Sequence, residues 1–585
     1  VNLTYKSNQD WFETDIQLAF GTTKVKIRDI QKTIQRGSAY VELTDGTLGV
    51  LPEEWLKKFG KIFRTANVEK ESVRIAKSNF NAVDDLVTEV DHPEIFQEIR
   101  EKKAKLEAFS SIQEVSKPEI LRAELRDYQQ AGLNWLNFLR EYGWGGILAD
   151  DMGLGKTLQA LALICLELEK NPNRPNLVIA PTTLLFNWKA EIEKFAPELD
   201  YFIHHGQRYD SPEDFKNHQV VLTSYGIAVN DIALLDKIDF NLIIADESQA
   251  IKNLNSKRHK ALIKLKGRVK LAMSGTPIEN NIYELYAQMQ FVNPGFFQGV
   301  SAFKEHYASA IERDINPDLI VELRKKIKPF ILRRTKEEVL KELPEKTEEY
   351  LYCEMSNGQR KVYNAFRNEY RDYLMQKFDD EGMEKSQMYV LEGLTRLRQI
   401  CDSPQLISRE GITETSSAKL DELVQHVREK TGQHKILVFS QFVKMLKLVE
   451  EAFIKEGIAY EYLDGKTSLK HREERVNRFQ QDADCRVFLI SLKAGGTGLN
   501  LTSADYVYIL DPWWNPAVEN QAIDRCYRMG QKKSVFAYRM ICKDSVEEKI
   551  IALQDRKRTL SSEIVGQGEG VMKQLSRSDI EELFS

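Results

Sequence analysis

The chain reads as an α/β protein: two tandem parallel-sheet lobes with helical insertions, behind a small N-terminal α+β domain. Three observations carry that reading. Short apolar, β-rich runs alternate with helix-length periodic segments from Leu125 onward, and a second such series starts near Lys419. Alternation of this kind is what a parallel sheet covered by helices requires. The segments after the strands are marked by Gly, Ser, Thr, Asp and Glu, and ligands of open α/β sheets bind beyond the carboxyl ends of the strands. The length of 585 residues allows several domains at roughly 100–200 residues each.

Hydrophobic residues make up 42% and charged residues 29%, with both signs mixed. A sizeable core is possible and wholesale disorder is excluded. The net charge of −5 argues neither for nor against nucleic acid, because binding depends on where the positive charge sits. Cys165, Cys353, Cys401, Cys485, Cys526 and Cys542 are scattered without a CxxC pair. That pattern speaks against a zinc site or disulfide framework and for buried thiols in a reducing cytosol. No secretory signal opens the chain and no apolar run approaches membrane-spanning length. The expectation is a soluble, cytoplasmic protein with no membrane partner. Val1 in place of Met hints at a longer N-terminal portion.

Residues 1–105 read as an accessory domain. Asp15 to Phe20 alternates polar and apolar, and Tyr40–Leu43 and Leu48–Leu51 flank Asp45-Gly46, a strong hairpin signal. A helix is expected after Pro52, and Glu98 to Glu114 reads as a charged, helical connector. Nothing here carries catalysis.

The first lobe, residues 106–290, has expected strands at Ile147–Ala149, Leu177–Ala180, Val220–Thr223, Leu242–Ala245 and Val269–Met273. After the first comes Asp150-Asp-Met-Gly-Leu-Gly-Lys-Thr157, then a helical pattern from Leu158. A strand, a glycine-rich turn and a helix start form a phosphate-binding loop. Gly153 and Gly155 let backbone N–H groups surround phosphate oxygens, Lys156 reaches the β/γ-phosphates, and the Thr157 hydroxyl ligates Mg²⁺. Asp150, Met152 and Leu154 complete the turn. Asp150 stands where the common GxxxxGK[ST] pattern has its first Gly. Asp246-Glu247 follows the fourth strand. One carboxylate there can hold the Mg²⁺ shell and the next can polarise the attacking water. Other marked strand ends are Pro181-Thr182, Ser224-Tyr225 and Ser274-Gly-Thr-Pro277.

Residues 291–417 read mainly as helices forming insertions and a linker. Within them Arg324 to Lys341 has eight Lys/Arg against two Glu. A solvated helix face, a phosphate-backbone contact and an interdomain role all fit Ile331-Leu-Arg-Arg-Thr335. The second lobe, residues 418–545, has expected strands at Ile436–Phe439, Tyr460–Leu463, Val487–Ile490, Tyr506–Leu510 and Val535–Met540. Their ends carry Ser440-Gln441, Asp464-Gly465, the Ser491–Gly498 loop and Asp511–Pro516. No second phosphate loop is present. Arg525 and Arg528 have helical i, i+3 spacing and could point together at charge developing on a γ-phosphate, or be surface arginines.

Taken together, these motifs resemble the Swi/Snf family of DNA-dependent ATPases, double-stranded DNA translocases of helicase superfamily two. The resemblance covers roughly Leu125 to Phe584. It rests on Leu125-Arg-Asp-Tyr-Gln-Gln-Ala-Gly132, Asp150–Thr157, Ile179–Thr182 with Asn187-Trp188, Asp246-Glu247, Ser274–Pro277, Ile331–Thr335, Leu397–Cys401, Ser491–Leu501, Asp511–Pro516 and Asp524–Gln531. It implies RecA-like lobes, ATP and Mg²⁺ as cofactors, duplex DNA as partner, and a bacterial motor acting as a monomer, nucleoid-associated, on some DNA-bound protein. The Asp150 departure is shared with the family. By the resemblance, Gln129 reads adenine, Arg126 and Tyr128 line the base pocket, and Ser274 and Thr276 couple nucleotide state to DNA grip. Arg525 and Arg528 are arginine fingers. Pro181, Thr182, Ser224, Tyr225, Ser440, Gln441, Lys493 and Gly495 touch the DNA backbone, and 546–585 supply bracing helices. Ser248-Gln249 and Tyr527 depart from the family's common Ala-His or Gly-His and His. A strand-separating helicase and a nucleotide-gated scaffold with little turnover are the rival readings.

Overall fold

The structure, a computed structural model, describes residues 112–584 except 172–173, 207–208, 276–281, 298, 309–316, 408–412, 431, 433, 496–498, 513–515 and 562–576. Of the first 111 residues it describes 2–7, 11–20, 23–25, 28–30, 33, 40–43, 46–51, 67–69 and 72–76. The chain divides into two compact units. The first comprises Val1–Ala149, Thr157–Pro277 and Ile282–Arg333; the second comprises Asp150–Lys156, Ile278–Asn281 and Arg334–Ser585.

In the first unit, β1 (Asn2–Ser7), β2 (Trp11–Phe20), β3 (Thr23–Val25), β6 (Asn67–Glu69) and β7 (Ser72–Ala76) form an antiparallel sheet of order β1-β2-β7-β6, with β3 on β2. The expected hairpin is present as β4 (Tyr40–Glu42) and β5 (Leu48–Val50). Gly46 takes φ +83°, the left-handed region that its missing Cβ makes available. The helix expected after Pro52 and residues 98–111 of the connector lie outside the described residues.

The main sheet of this unit is fully parallel. Its strands are β8 (Gly146–Leu148), β9 (Asn176–Ala180), β10 (Tyr201–His204), β11 (Val220–Ser224), β12 (Asp239–Ala245), β13 (Lys266–Met273) and β14 (Ile331–Leu332), in the order β10-β11-β9-β12-β13-β8-β14. All five expected strands are there. Every residue of β8, β9 and β11 is buried, as unbroken apolar runs between two helix layers should be. The edge strands β10 and β14 are additions. Tyr201, Phe202 and Ile203 are only half-buried and so lack a continuous apolar signal, and β14 is two residues inside the basic block.

A buried ionic knot ties this sheet to its helices. Glu167, with no exposed side-chain surface, accepts from Arg140 Nη1 (3.0 Å), Arg268 Nη2 (2.6 Å) and Asn171 Nδ2 (2.6 Å). It thereby joins the helix Asp127–Glu141, the helix Lys156–Lys170 and β13.

The second unit holds a six-stranded parallel sheet. Its strands are β15 (Lys346–Cys353), β16 (Ile436–Ser440), β17 (Tyr460–Leu463), β18 (Val487–Ser491), β19 (Tyr506–Ile509) and β20 (Val535–Cys542), ordered β15-β20-β19-β16-β18-β17. Here the helical expectation for 291–417 is corrected. Lys346–Cys353 is an edge strand, paired with β20 from Lys346↔Val535 to Cys353↔Cys542. Its Glu348, Glu349, Tyr350 and Tyr352 face solvent, so it reads as charged surface in sequence. β14 is a second strand inside the stretch, and its longest elements among the described residues are the expected helices, Asn357–Glu381 and Met383–Asp402.

Glu167→Ala should leave two guanidinium groups facing a buried void. A loss of about 3 kcal/mol in urea unfolding is expected, the scale for breaking a buried pair from one side. A loss below about 1 kcal/mol would mean the arginines find other partners.

Candidate active site

The chain leaves β8 through Asp150 and turns at Gly153 (φ +90°) and Gly155 (φ +74°) before the helix begins at Lys156, two residues ahead of the expected Leu158. Leu154, fully buried, plugs the turn into the core. Both glycines are required by backbone conformation. At Gly153 a Cβ would also fall 2.6 Å from the Arg528 Cβ. The Lys156 ammonium donates to the carbonyls of Asp150 (2.5 Å) and Asp151 (3.2 Å), so it is folded back over its own loop. Asp150 is buried and receives Arg334 Nε (3.0 Å) and Nη2 (2.5 Å) on its two oxygens. Met152 and Thr157 are half-buried.

At the end of β12, Asp246 is held by three groups. Trp188 Nε1 donates to Oδ2 (2.9 Å), the Glu247 N–H donates to Oδ1 (2.9 Å), and the Tyr225 hydroxyl donates to the main-chain carbonyl (2.7 Å). Burial, and then the charges of Asp246 and Glu247, push the Tyr225 phenol well above its ordinary value and keep it a donor. Glu247 has φ +48°, a left-handed conformation for a residue with a Cβ. Strain of this kind persists where the surroundings over-determine it and clusters at functional sites. Gln249 Nε2 donates to Glu247 Oε2 (2.7 Å), and Gln249 Oε1 accepts from Ser274 Oγ (3.2 Å). The departure at Gln249 thus has a physical role: its amide bridges the acid to Ser274. Ser248, buried, donates to Gln288 Oε1 (2.9 Å). Thr276 lies outside the described residues.

These groups fit a magnesium nucleotide. Two glycines hold the loop in left-handed backbone, a lysine stands at the helix start, and the end of β12 carries a fixed carboxylate followed by one in a strained turn. Lys156 and Thr157 would hold phosphate and metal, Asp246 the metal, and Glu247 the attacking water. At the base end, Gln129 is buried and its Oε1 accepts from the exposed Arg126 N–H (3.1 Å), while Tyr128 is half-buried.

The arginines require a correction. The helix Pro516–Ile523 ends before them, so Arg525 and Arg528 lie in turns and share no helix face. Arg525 is buried, and its carbonyl accepts from the Leu501 N–H (2.9 Å). Arg528 is half-buried, with Nη1 3.5 Å from the Leu499 carbonyl. Among the expected DNA-contact residues, Thr182 and Lys493 are exposed and Pro181 and Gln441 half-exposed. Gly495 ends the short helix Leu492–Gly495. Tyr225, Ser224 and Ser440 are buried. Tyr225 serves Asp246, Ser224 caps the helix Tyr225–Asn230, and the Ser440 hydroxyl closes a turn with Phe442. Sequence reasoning quoted Trp188 in a motif without a role, took Gln249 as a departure only, and left Arg334 and Lys336 in a basic block with three open readings. The partners Asp246 of Trp188, Ser274 of Gln249, Asp150 of Arg334 and Asp524 of Lys336 are distant in sequence, which no local spacing reveals.

A fold of parallel strands ending in a phosphate loop and an acidic pair, followed by a second parallel sheet, defines a two-lobed nucleotide-binding protein of the helicase type. Residues 128–406 match the SNF2-related domain and residues 418–530 the helicase conserved C-terminal domain. The chain belongs to the SNF2-related family. It is 39% identical over 507 residues to the putative ATP-dependent helicase/translocase YwqA of Bacillus subtilis, covering 84% of this chain and 54% of that protein. It is 33% identical over 577 residues to the TATA-binding protein-associated factor mot1 of Schizosaccharomyces pombe, covering 85% and 29%. The Sulfolobus solfataricus SWI2/SNF2 ATPase core in complex with dsDNA is 34% identical, covering 80% of this chain and 99% of that one, with a TM-score of 0.41. The chain spans about half or less of the length of these two curated relatives.

Asp511, at the end of β19, has both carboxylate oxygens on the Gln441 N–H (3.1 and 2.9 Å). Burial pushes its carboxyl up to about 6 against the pull of Arg398, Lys419, the Ser440 hydroxyl and the Gln441 N–H. Because the folded value lies above the ordinary 3.8, the folded state keeps a proton that the unfolded chain releases first. The stability this adds is full below 3.8 and is lost as pH rises to about 6. Asp511→Asn should therefore flatten the pH dependence of the unfolding midpoint across that window. An unchanged slope would place the titration elsewhere.

Proposed function

We propose that the chain is an ATP-hydrolysing motor that is stimulated by duplex DNA, translocates along it through backbone contacts, and displaces or remodels proteins bound there. The observation that carries this reading is the wired acidic pair: Asp246 fixed by Trp188, and Glu247 joined through Gln249 to Ser274. A passive nucleotide sensor needs no oriented carboxylate for water. In hydrolysis, Asp246 positions the metal and Glu247 takes up the proton of the attacking water. Lys156 and the loop N–H groups receive the developing negative charge, joined by Arg528. The magnesium nucleotide supplies an electrophilic phosphorus polarised by the metal.

Exposed Thr182 and Lys493, with Pro181, Gln441 and Gly495, are the backbone contacts of this reading. Contacts to phosphate and sugar carry little sequence information, so binding is nonspecific and weakens as salt rises. A relative named for association with TATA-binding protein supports a DNA-bound protein as the thing displaced.

Steady-state hydrolysis at fixed low salt, with no nucleic acid, duplex DNA, single-stranded DNA or RNA, tests the reading. Duplex DNA alone should stimulate strongly. Equal stimulation by single strands would favour a strand-separating helicase, and no turnover at all a scaffold. Glu247→Gln should cut turnover by about a hundredfold or more, the scale of general-base catalysis, while leaving nucleotide affinity intact. Near-normal turnover would remove Glu247 from its role.

A further inference from the structure

The basic motif Ile331–Thr335 is a surface charge run in sequence, yet in the fold it and its neighbour Lys336 are engaged with named partners. β14 pairs with β8, and the Ala149 N–H donates to the Leu332 carbonyl (2.7 Å). Within the second unit, the Asp151 N–H donates to the Arg334 carbonyl (3.0 Å), and the Lys336 N–H returns to Asp151 Oδ2 (3.1 Å). Arg334 grips both oxygens of Asp150 in fork geometry, the bidentate arrangement that fixes orientation as well as charge. The segment then reaches a second target. Lys336, 4% exposed, places its ammonium on the Asp524 carboxylate and on the Tyr527 carbonyl (2.6 Å), 5.1 Å from the centre of the Tyr527 ring. Thr335 and Glu338 close a capping box that holds the backbone between the two cations. One residue beyond Tyr527, the Arg528 backbone and Cβ lie against Gly153.

We propose that Arg334-Thr335-Lys336 is a positioning strap: Arg334 sets the phosphate loop through Asp150, and Lys336 sets the turn that carries Arg528 through Asp524 and the Tyr527 carbonyl. This deepens the motor reading and rests on it for the role of Arg528. It also accounts for Asp150. An aspartate in place of the first glycine of the common phosphate-loop pattern is the acceptor that Arg334 needs, since a glycine would leave a largely buried guanidinium without its carboxylate. Tyr527 has a matching explanation. Lys336 and Lys346 both lie over its ring, at 5.1 and 5.3 Å, where the negative ring face attracts cations and a protonated histidine would repel them.

The test pairs equilibrium binding of a fluorescent ADP with steady-state hydrolysis on duplex DNA, using the full chain. Asp150→Gly, which restores the common pattern, should weaken nucleotide binding by about tenfold or more, the scale of one charge-assisted hydrogen bond. Arg334→Lys, keeping charge without the fork, should fall between wild type and Arg334→Ala. Asp150→Asn combined with Arg334→Ala should bind no worse than Arg334→Ala alone, because the two side chains act as one unit. Lys336→Met should lower kcat by about tenfold or more with KM for ATP near wild type, the mark of a misplaced group that acts only in the transition state. Thermal melting of each variant checks that it is folded, and Asp150→Asn stands in if Asp150→Gly is not. Tighter or unchanged binding by Asp150→Gly, or fully additive losses in the double variant, would overturn the strap. Wild-type protein that binds ADP but never hydrolyses ATP would defeat the motor reading instead, and the binding arm would still decide the Asp150–Arg334 pair.

Discussion

The main-chain hydrogen bonds of the parallel sheet, β10-β11-β9-β12-β13-β8-β14, set the position of every loop that carries chemistry in the first unit. In an all-parallel sheet every strand ends at the same edge, and register fixes where each following loop begins. Ala245 of β12 lies opposite Ile179 of β9 and Ala272 of β13, so Asp246 emerges beside the ends of both neighbours. Its N–H donates to the Ile179 carbonyl, and the Ser274 N–H donates to the Leu148 carbonyl at the root of the phosphate loop. A slip of one residue would turn each of these side chains to the other face of the sheet. The chemistry is therefore placed by main-chain hydrogen bonds and tuned by side chains.

That tuning relies on buried charge held by several partners. Asp246 has Trp188 and a strained neighbour, and Asp150 has a two-pronged arginine. In the second unit, Arg398, fully buried, donates to the Asp511 and Pro512 carbonyls (2.8 and 3.0 Å). Lys419, equally buried, donates to Asp402 (2.9 Å), Glu547 (2.6 Å) and the Leu510 carbonyl (2.6 Å). Such groups are costly to bury and costlier to leave half-paired, so each network forces a single arrangement of the loops it touches. All six cysteines are buried and unpaired. Cys401 and Cys542 nonetheless lie with Glu547 in one cluster, where the Lys419 ammonium supplies the positive charge.

Much of this was legible in the sequence because apolar periodicity reports burial directly. The ten expected strands of the two parallel sheets and the Asp45-Gly46 hairpin rest on local patterns, and the phosphate loop and acidic pair on residue chemistry at fixed spacing. The edge strands β10, β14 and β15 were missed because they are short or half-exposed: β15 shows Glu and Tyr to solvent and so lacks a two-sided apolar run. Long-range partners were missed for a different reason. Nothing near Arg334 in sequence points to Asp150, and nothing near Gln249 points to Ser274. The same limit explains Tyr225 and Ser440, whose strand-end positions suggested a surface role while their side chains serve the interior.

In the proposed motor, hydrolysis drives movement along an intact duplex. Displacement of a third strand from a triplex, placed downstream on double-stranded DNA that has no single-stranded tail, measures that movement directly. Release should require ATP and vanish in Glu247→Gln. A triplex left in place by protein that separates the strands of a forked duplex would contradict the proposed motor.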